Sequence, residues 1–168
     1  MTRKKLLKRF REIGLIHKEP VRLRSGAISP YYCDIKKAYG YPDLLSALAE
    51  EISKRLPTGT TCVAASGYGG IPLAALVASV SKKKFTAVRD TPKRHGKGGK
   101  IDGYIPSKKD SIVIVDDVLT TGSSVKETFS ALKKISGRVS SAIVVVKRGE
   151  PKLPVPYSSI FSITELLE

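Results

Sequence analysis

The chain has 168 residues, 41% of them hydrophobic, and a formal net charge of +15 at neutral pH. This length suits one domain with a substantial core, and we find neither an internal repeat nor a linker that would separate a second domain. No apolar run approaches the ~20 residues of a membrane helix, and the basic N-terminus lacks the apolar region of a signal peptide. We therefore expect a cytoplasmic protein without a membrane segment.

Charge and cysteine content limit the partners and the compartment. The positive charge is compatible with a polyanionic substrate, with nucleic acid or with a solvated basic surface, and charge alone does not choose among them. Cys33 and Cys62 form neither a disulfide framework nor a metal-ligand pattern. We therefore predict two free thiols in a reducing cytoplasm.

The first third of the chain predicts two helices around a polar segment. Apolar residues at helical spacing predict an amphipathic helix over residues 2–14. Residues 21–37 are polar and rich in turn residues. Pro42 suits the first turn of a second helix, whose apolar stripe extends to residue 56.

The middle of the chain predicts a strand, a glycine-rich loop and a helix, and then a second strand. Residues 61–65 are a short apolar run, the glycines of 66–70 predict a loop, and 71–80 predict a helix. Residues 84–89 predict another strand. Residues 90–109 are rich in Gly and Lys and lack periodicity, so we expect an irregular segment there.

A strand with an acidic end and a hydroxyl-rich turn follows. Residues 111–115 are rich in β-branched side chains and predict a buried strand. Asp116 and Asp117 follow it, then the turn 120–124, then a helix over 125–135. Free N–H groups, hydroxyls and the helix dipole make such a turn a phosphate cradle.

The two aspartates repel phosphate, so they suit sugar hydroxyls or a metal ion held with the ligand. A phosphate beside a polyol indicates a phosphorylated ribose. The alternative is that Asp116 and Asp117 are helix caps beside an ordinary turn.

The last part of the chain completes an alternating pattern. Residues 140–146 and 158–163 predict strands, separated by the polar tip 147–150 and a proline-rich stretch, and a short terminal helix follows. Helices alternating with apolar strands predict a parallel sheet covered on both faces. Polar strand ends at 66–70, 116–124 and 147–150 would then surround one crevice.

Four motifs resemble known segments. VIVDDVLTTGSSV (113–125) resembles the ribose-5-phosphate site of the type I phosphoribosyltransferases, which use phosphoribosyl pyrophosphate. RDTPKRHGKGGKIDG, from Arg89, resembles the R-K-x-x-K-x-H-G flexible loop of the orotate phosphoribosyltransferases. LRSGAISPYYCDI (23–35) and SGYGGIPLAALVA (66–78) look like two further segments of that family. The resemblance covers most of the chain, from about Leu6 to Glu150.

The resemblance implies an α/β fold of the type I phosphoribosyltransferase kind, with a mostly parallel central sheet flanked by helices. It implies one phosphoribosyltransferase domain over 1–168. Within it, an N-terminal segment over about 1–40 forms a part called the hood, and residues 90–109 form a flexible catalytic loop. The implied reaction converts orotate and phosphoribosyl pyrophosphate to orotidine 5′-phosphate and pyrophosphate, a step of pyrimidine synthesis. The implied metal is Mg²⁺, carried by the substrate and water without a direct protein ligand. The implied assembly is a homodimer with shared sites.

The resemblance also assigns site residues. The catalytic set is Lys93, His95, Asp116 and Asp117. These four also bind phosphoribosyl pyrophosphate, together with Arg24, Tyr68, Gly69, Arg89, Val118, Leu119, Thr120, Thr121, Gly122, Ser123 and Ser124. The orotate set is Tyr32, Cys33, Thr120 and Arg148, and a guanidinium suits a planar anion.

Some residues depart from the family pattern, and other interpretations stay open. Asp90 stands where the family usually has a second lysine, Gly69 replaces a lysine of some members, and Arg24 replaces another while keeping the charge. The loop lysines and Arg148 can also be read as solvated surface charges. The alternatives for function are a salvage enzyme for another base, or a non-catalytic sensor of phosphoribosyl pyrophosphate that binds nucleic acid. We do not expect nucleic acid binding, and we expect 90–103 to be mobile without ligand.

Overall fold

Helices and short strands alternate through the residues that the computed structural model describes, which are 1–22, 26, 28–91, 99–135 and 138–168. In chain order the elements are α1 (Arg3–Glu12), β1 (Ile16–His17), β2 (Val21–Arg22), β3 (Ile28–Ser29), β4 (Tyr32–Cys33), a 3-10 helix (Ile35–Gly40), α2 (Pro42–Ser53), β5 (Cys62–Ser66), α3 (Gly67–Ser81), β6 (Lys84–Val88), β7 (Ile101–Gly103), β8 (Ser111–Leu119), α4 (Ser123–Lys134), β9 (Arg138–Lys147), β10 (Tyr157–Ser162) and α5 (Ile163–Leu167).

The central sheet has the strand order β10-β9-β8-β5-β6-β7. The first five strands of that order are parallel to their neighbours, and β7 runs antiparallel to β6 at the edge. The predicted mostly parallel sheet is therefore confirmed. No helix in the described ranges is long and apolar enough to cross a bilayer.

Side chains alternate between two hydrophobic cores along the central strands. Val113 and Val115 of β8 belong to the core that includes buried residues of α2 and α3. Ile112 and Ile114 belong to the core on the other face, together with residues of α4. This alternation follows from the two-residue period of a strand, and it explains why the β8 sequence is apolar throughout.

Most predicted elements lie where the sequence places them. Helix α1 begins after Thr2, whose side chain accepts a hydrogen bond from the backbone of Lys5, and the chain turns at Gly14 with φ +61°. Helices α2, α4 and α5 and strands β5, β6, β9 and β10 match their predictions to within a few residues. Within the polar segment 21–37, β2 pairs antiparallel with β3, whereas β4 pairs with β1, which precedes the segment. The 3-10 helix begins at Ile35. Strands of two residues are too short to be recognised in the sequence.

Strand β8 is longer than predicted, and this corrects the position of the two aspartates. It continues through Asp116 and Asp117 to Leu119, because β9 pairs with it over that whole length. Strand β5 pairs only with residues 112–114. The aspartates therefore lie within β8, beyond the part that β5 covers, rather than after its end.

Strand β5 ends at Ser66 and helix α3 begins at Gly67, so the prediction of a loop over 66–70 is wrong. Two glycines explain the early start. A Cβ at Gly70 would lie 2.9 Å from the carbonyl oxygen of Val115, and one at Gly69 would overlap the carboxylate of Asp117. The glycines allow the first turn of the helix to lie against the end of β8.

The segment 90–109 is partly regular, which corrects a third prediction. Strand β7 pairs with Thr86–Val88 of β6, and the backbone N–H of Arg89 donates to the carbonyl of Lys100 at 2.7 Å. Residues 92–98 lie outside the described residues. A short antiparallel ladder therefore joins the residues just before the predicted loop to residues 100–103 within it.

Candidate active site

The two aspartates of β8 accept hydrogen bonds from their own strand. The N–H of Asp117 donates to Oδ1 of Asp116 at 2.9 Å, and the N–H of Val118 donates to Oδ1 of Asp117 at 2.7 Å. These two bonds hold both carboxylates against the backbone of β8, at the part of the strand beyond its pairing with β5.

Asp116 and Asp117 differ in burial. Asp116 is 8% exposed, and its burial together with the neighbouring charge of Asp117 raises the pKa of Asp116 well above its usual range. Asp116 therefore keeps its proton to a higher pH than a surface aspartate does. A carboxyl that can both donate and accept a hydrogen bond suits a sugar hydroxyl.

The turn between β8 and α4 presents the predicted phosphate cradle. Gly122 adopts a φ of +76°, and a side chain there would collide with Leu153. Thr121 and Ser123 place their hydroxyl oxygens 2.8 Å apart at the start of α4. Glycine is thus favoured by the left-handed backbone, and a larger residue would also force the Leu153 side chain to shift.

The 3-10 helix lies beside the aspartates. Tyr39 donates a hydrogen bond from its hydroxyl to the carbonyl oxygen of Gly69 at 2.6 Å. Nζ of Lys36 lies 3.3 Å from Oδ1 of Asp34 and 3.9 Å from Oδ2 of Asp117. A segment near the N-terminus therefore contributes a charged side chain to the strand end.

Arg148 lies at the next strand end. Its backbone N–H donates to the carbonyl of Leu119 at 2.9 Å, which fixes it beside the cradle. Its guanidinium donates to the Ser29 hydroxyl at 2.9 Å and lies 4.6 Å from the centre of the Tyr31 ring. The contacts with Ser29 and Tyr31 thus hold the guanidinium against the N-terminal segment that contains Tyr32.

Cys33 lies between these groups. It is buried, and burial raises the pKa of its thiol to about 12, against the opposing effect of Arg148 and with a further rise from Asp117. The thiol therefore stays protonated and unreactive at neutral pH. The raised pKa therefore argues against a nucleophilic role for Cys33.

The remaining predicted residues divide into two groups. Tyr68 is 92% exposed beside Gly69, and Arg89 forms an ion pair with Asp102 of β7 at 3.0 Å. Arg24, Lys93 and His95 lie outside the described residues. The structure thus brings together the β8 loop, Gly69, Cys33 and Arg148, while Arg89 is paired with another element.

Comparison with known proteins identifies this arrangement. The family model of the phosphoribosyl transferase domain matches residues 35–166. The orotate phosphoribosyltransferase of Methanocaldococcus jannaschii is 36% identical over 146 residues, which cover 87% of this chain and 82% of the relative. The chain belongs to the orotate phosphoribosyltransferase family.

Two further members of the orotate phosphoribosyltransferase family agree. The enzyme of Methanopyrus kandleri is 35% identical over 150 residues, which cover 89% of this chain and 80% of that relative. The crystal structure of the orotate phosphoribosyltransferase from Aeropyrum pernix superimposes with a TM-score of 0.82 at 27% identity and covers 96% of each chain. The predicted family and the predicted type I fold are confirmed.

Two residues that lie beside this orotate phosphoribosyltransferase site belong to none of the recognised motifs. Lys36 and Tyr39 lie in the stretch DIKKAY, directly after the motif that ends at Ile35. The alternating charge of Asp34 and Lys36 was a signal that this stretch contains more than a turn. Their contacts with Asp117 and Gly69 join distant parts of the chain, so no local pattern announced them.

Proposed function

We propose that this chain transfers ribose 5-phosphate from phosphoribosyl pyrophosphate to orotate, giving orotidine 5′-phosphate and pyrophosphate. The observation that carries the proposal is the position of Arg148, whose backbone is bonded to Leu119 at the edge of the phosphate cradle. A guanidinium beside a ribose phosphate site suits a base that carries a carboxylate. The names of the relatives support the same reaction.

The reaction breaks the bond between carbon 1 of the ribose and the pyrophosphate oxygen, and forms a bond from that carbon to the ring nitrogen of orotate. The ring nitrogen loses its proton, and pyrophosphate leaves with the bonding electrons. Asp116 and Asp117 hold the ribose hydroxyls, and residues 120–124 hold the 5′-phosphate. The residues act by position and charge, because no nucleophilic side chain is needed for this displacement.

Arg148 orients orotate. Its fork of N–H donors matches a carboxylate, and Ser29 and Tyr31 hold its side chain in place. Tyr32, Cys33 and Thr120 would complete the orotate pocket. Arg24, Tyr68, Gly69, Arg89, Lys93 and His95 would serve phosphoribosyl pyrophosphate.

Mg²⁺ would enter with the substrate. Mg²⁺ prefers oxygen ligands, keeps several waters and is often held by substrate phosphates, so the pyrophosphate group and water would hold the ion here without a direct protein ligand. Within the described ranges, no cluster of three or more potential metal ligands occurs. When bound, the ion neutralises charge on the pyrophosphate.

We also propose the quaternary and cellular setting that the family resemblance implies. The chain forms one phosphoribosyltransferase domain over 1–168, with a hood over about 1–40 and a catalytic loop over 90–109 that closes on the partner subunit's site. The homodimer acts in the cytoplasm, where the buried thiols Cys33 and Cys62 stay reduced. Its partners are orotate and phosphoribosyl pyrophosphate.

One assay separates this function from salvage of another base. Purified protein is incubated with phosphoribosyl pyrophosphate, Mg²⁺ and one base at a time from orotate, uracil, adenine and hypoxanthine, and pyrophosphate release is followed. We expect release with orotate and no appreciable release with the purines. Release with a purine and none with orotate would replace the proposal with salvage.

A further inference from the structure

Lys36 is a cation whose position the family assignment does not explain. Its Nζ lies 3.9 Å from Asp117 and 3.3 Å from Asp34, and 6.0 Å from the centre of the Tyr32 ring. It therefore stands between the carboxylate proposed for the ribose hydroxyls and the segment proposed for orotate. That location is where carbon 1 of the ribose must lie if both assignments hold.

The electrostatics of this location call for a cation. A pyrophosphate that enters beside Asp116 and Asp117 meets like charge, which costs free energy unless a positive group compensates. Burial has the largest single effect and lowers the pKa of Lys36, but the neighbouring groups Asp117, Tyr32 and Asp34 together outweigh it, so the pKa is raised. Lys36 is therefore a charged ammonium at neutral pH.

Gly69 presents only backbone to the Asp117 carboxylate. A side chain at position 69 would overlap that carboxylate, so the first turn of α3 contributes no side chain at this point. The Tyr39 hydroxyl donates a hydrogen bond to the carbonyl oxygen of Gly69 and joins the 3-10 helix to that turn. The 3-10 helix thus lies against both Gly69 and Asp117, and Lys36 is the cation that it brings to them.

Lys36 is also free enough to change partner. Its side chain is 43% exposed, so the ammonium can turn from Asp34 towards a ligand without leaving a buried pair broken. Its neighbour Lys37 points elsewhere, with Nζ donating to the carbonyl of Gly14 at 3.3 Å. The two adjacent lysines therefore have different surroundings on one short helix.

We propose that Lys36 binds the pyrophosphate group of phosphoribosyl pyrophosphate in the site of its own subunit. The inference rests on the proposed function, because it takes the ribose to lie against Asp117. In the free protein Lys36 pairs with Asp34 and Asp117, and on substrate binding its ammonium contacts the pyrophosphate next to carbon 1.

Calorimetric titration tests this proposal without turnover. Phosphoribosyl pyrophosphate with Mg²⁺, and separately ribose 5-phosphate, are titrated into the wild type, Lys36→Met, Lys36→Arg and the matched control Lys37→Met. We expect Lys36→Met to weaken phosphoribosyl pyrophosphate binding by roughly 10- to 100-fold, the range for one lost charge-assisted hydrogen bond, and to leave ribose 5-phosphate binding unchanged. Lys36→Arg should retain most of the affinity, and Lys37→Met should bind as the wild type does.

Three outcomes would overturn the proposal. In the first, Lys36→Met binds phosphoribosyl pyrophosphate as tightly as the wild type does. In the second, Lys36→Met loses affinity for both ligands equally, which would show that Lys36 only supports Asp117. A wild type that binds no phosphoribosyl pyrophosphate would overturn the proposed function as well, whereas the first two results overturn this inference alone. Thermal melting of each variant verifies the fold, and Lys36→Gln replaces Lys36→Met if the latter does not fold.

Discussion

Gly69 of α3 lies directly against the carboxylate of Asp117 in β8. A Cβ built at position 69 would lie 2.5 Å from Cγ of Asp117 and 2.6 Å from its Oδ1. These distances are far below a van der Waals contact, so any side chain at 69 must displace the carboxylate. The two residues set the width of the site at the proposed ribose position.

Gly69→Ala should therefore impair catalysis more than folding. The added methyl group moves the Asp117 carboxylate, and a misplacement of about 1 Å can lower the rate roughly 100-fold. We expect kcat/KM for phosphoribosyl pyrophosphate to fall by about that factor, with little change in melting temperature. Gly40→Ala is the matched control, since a Cβ there meets no atom within 4 Å. Full activity in Gly69→Ala would show that Asp117 need not stay where it lies.

Arg148→Ala should weaken orotate binding and leave phosphoribosyl pyrophosphate binding nearly intact. The lost charge-assisted hydrogen bonds are worth about 1.5–3 kcal/mol. Calorimetry or KM values for the two substrates measure the difference. Arg138→Ala, at the exposed opposite end of β9, controls for the loss of charge. Unchanged orotate affinity would show that Arg148 is an ordinary surface charge.

The sequence predicted the part of the site that is local in the chain. The strand, aspartates, hydroxyl-rich turn and helix of 113–125 form one continuous motif, so its chemistry and its family could be inferred together. The sequence did not predict that β8 extends through the aspartates, because that depends on the register with β9. The sequence also did not predict that α3 starts at Gly67. Glycines usually weaken a helix, but in this helix Gly69 allows the first turn to lie against Asp117.

Asp110 should stabilise the fold in a pH-dependent way. Its buried carboxylate accepts hydrogen bonds from Thr61, Tyr104 and Ser107 and pairs with Lys84, and the backbone bond from Ser107 contributes most to holding its pKa well below the usual range. We expect Asp110→Asn to lower the free energy of unfolding at pH 7 by about 2 kcal/mol, since buried donors lose a charged acceptor.

The sign of the pH dependence follows from the lowered pKa. Stability due to ionised Asp110 is complete above the unfolded pKa of about 3.9 and is lost as pH falls through the lower folded value. Urea unfolding from pH 7 to pH 2 should therefore show the gap between wild type and Asp110→Asn closing below about pH 4. Glu127→Gln, on the exposed face of α4, should show no such gap. A gap that stays constant to pH 2 would contradict this role.

Shared sites in the proposed homodimer can be tested by mixing two inactive variants, Lys93→Ala and Asp117→Asn. If the loop acts on the partner subunit, a mixed dimer has one site with both lesions and one with neither. Activity should reach roughly a quarter of wild type at equal mixing, since half the dimers are mixed and half their sites are intact. Each variant must first be inactive alone and exchange subunits. Continued inactivity would place Lys93 in its own subunit's site.

The identity of the reaction product tests the central claim most directly. Wild-type protein, orotate, phosphoribosyl pyrophosphate and Mg²⁺ are incubated, and the nucleotide is identified by mass spectrometry while pyrophosphate is quantified. We expect orotidine 5′-phosphate and pyrophosphate in equal amounts, and neither from Asp117→Asn beyond a trace. Pyrophosphate released without orotidine 5′-phosphate, or no product at all from folded wild type that binds both substrates, would contradict the account.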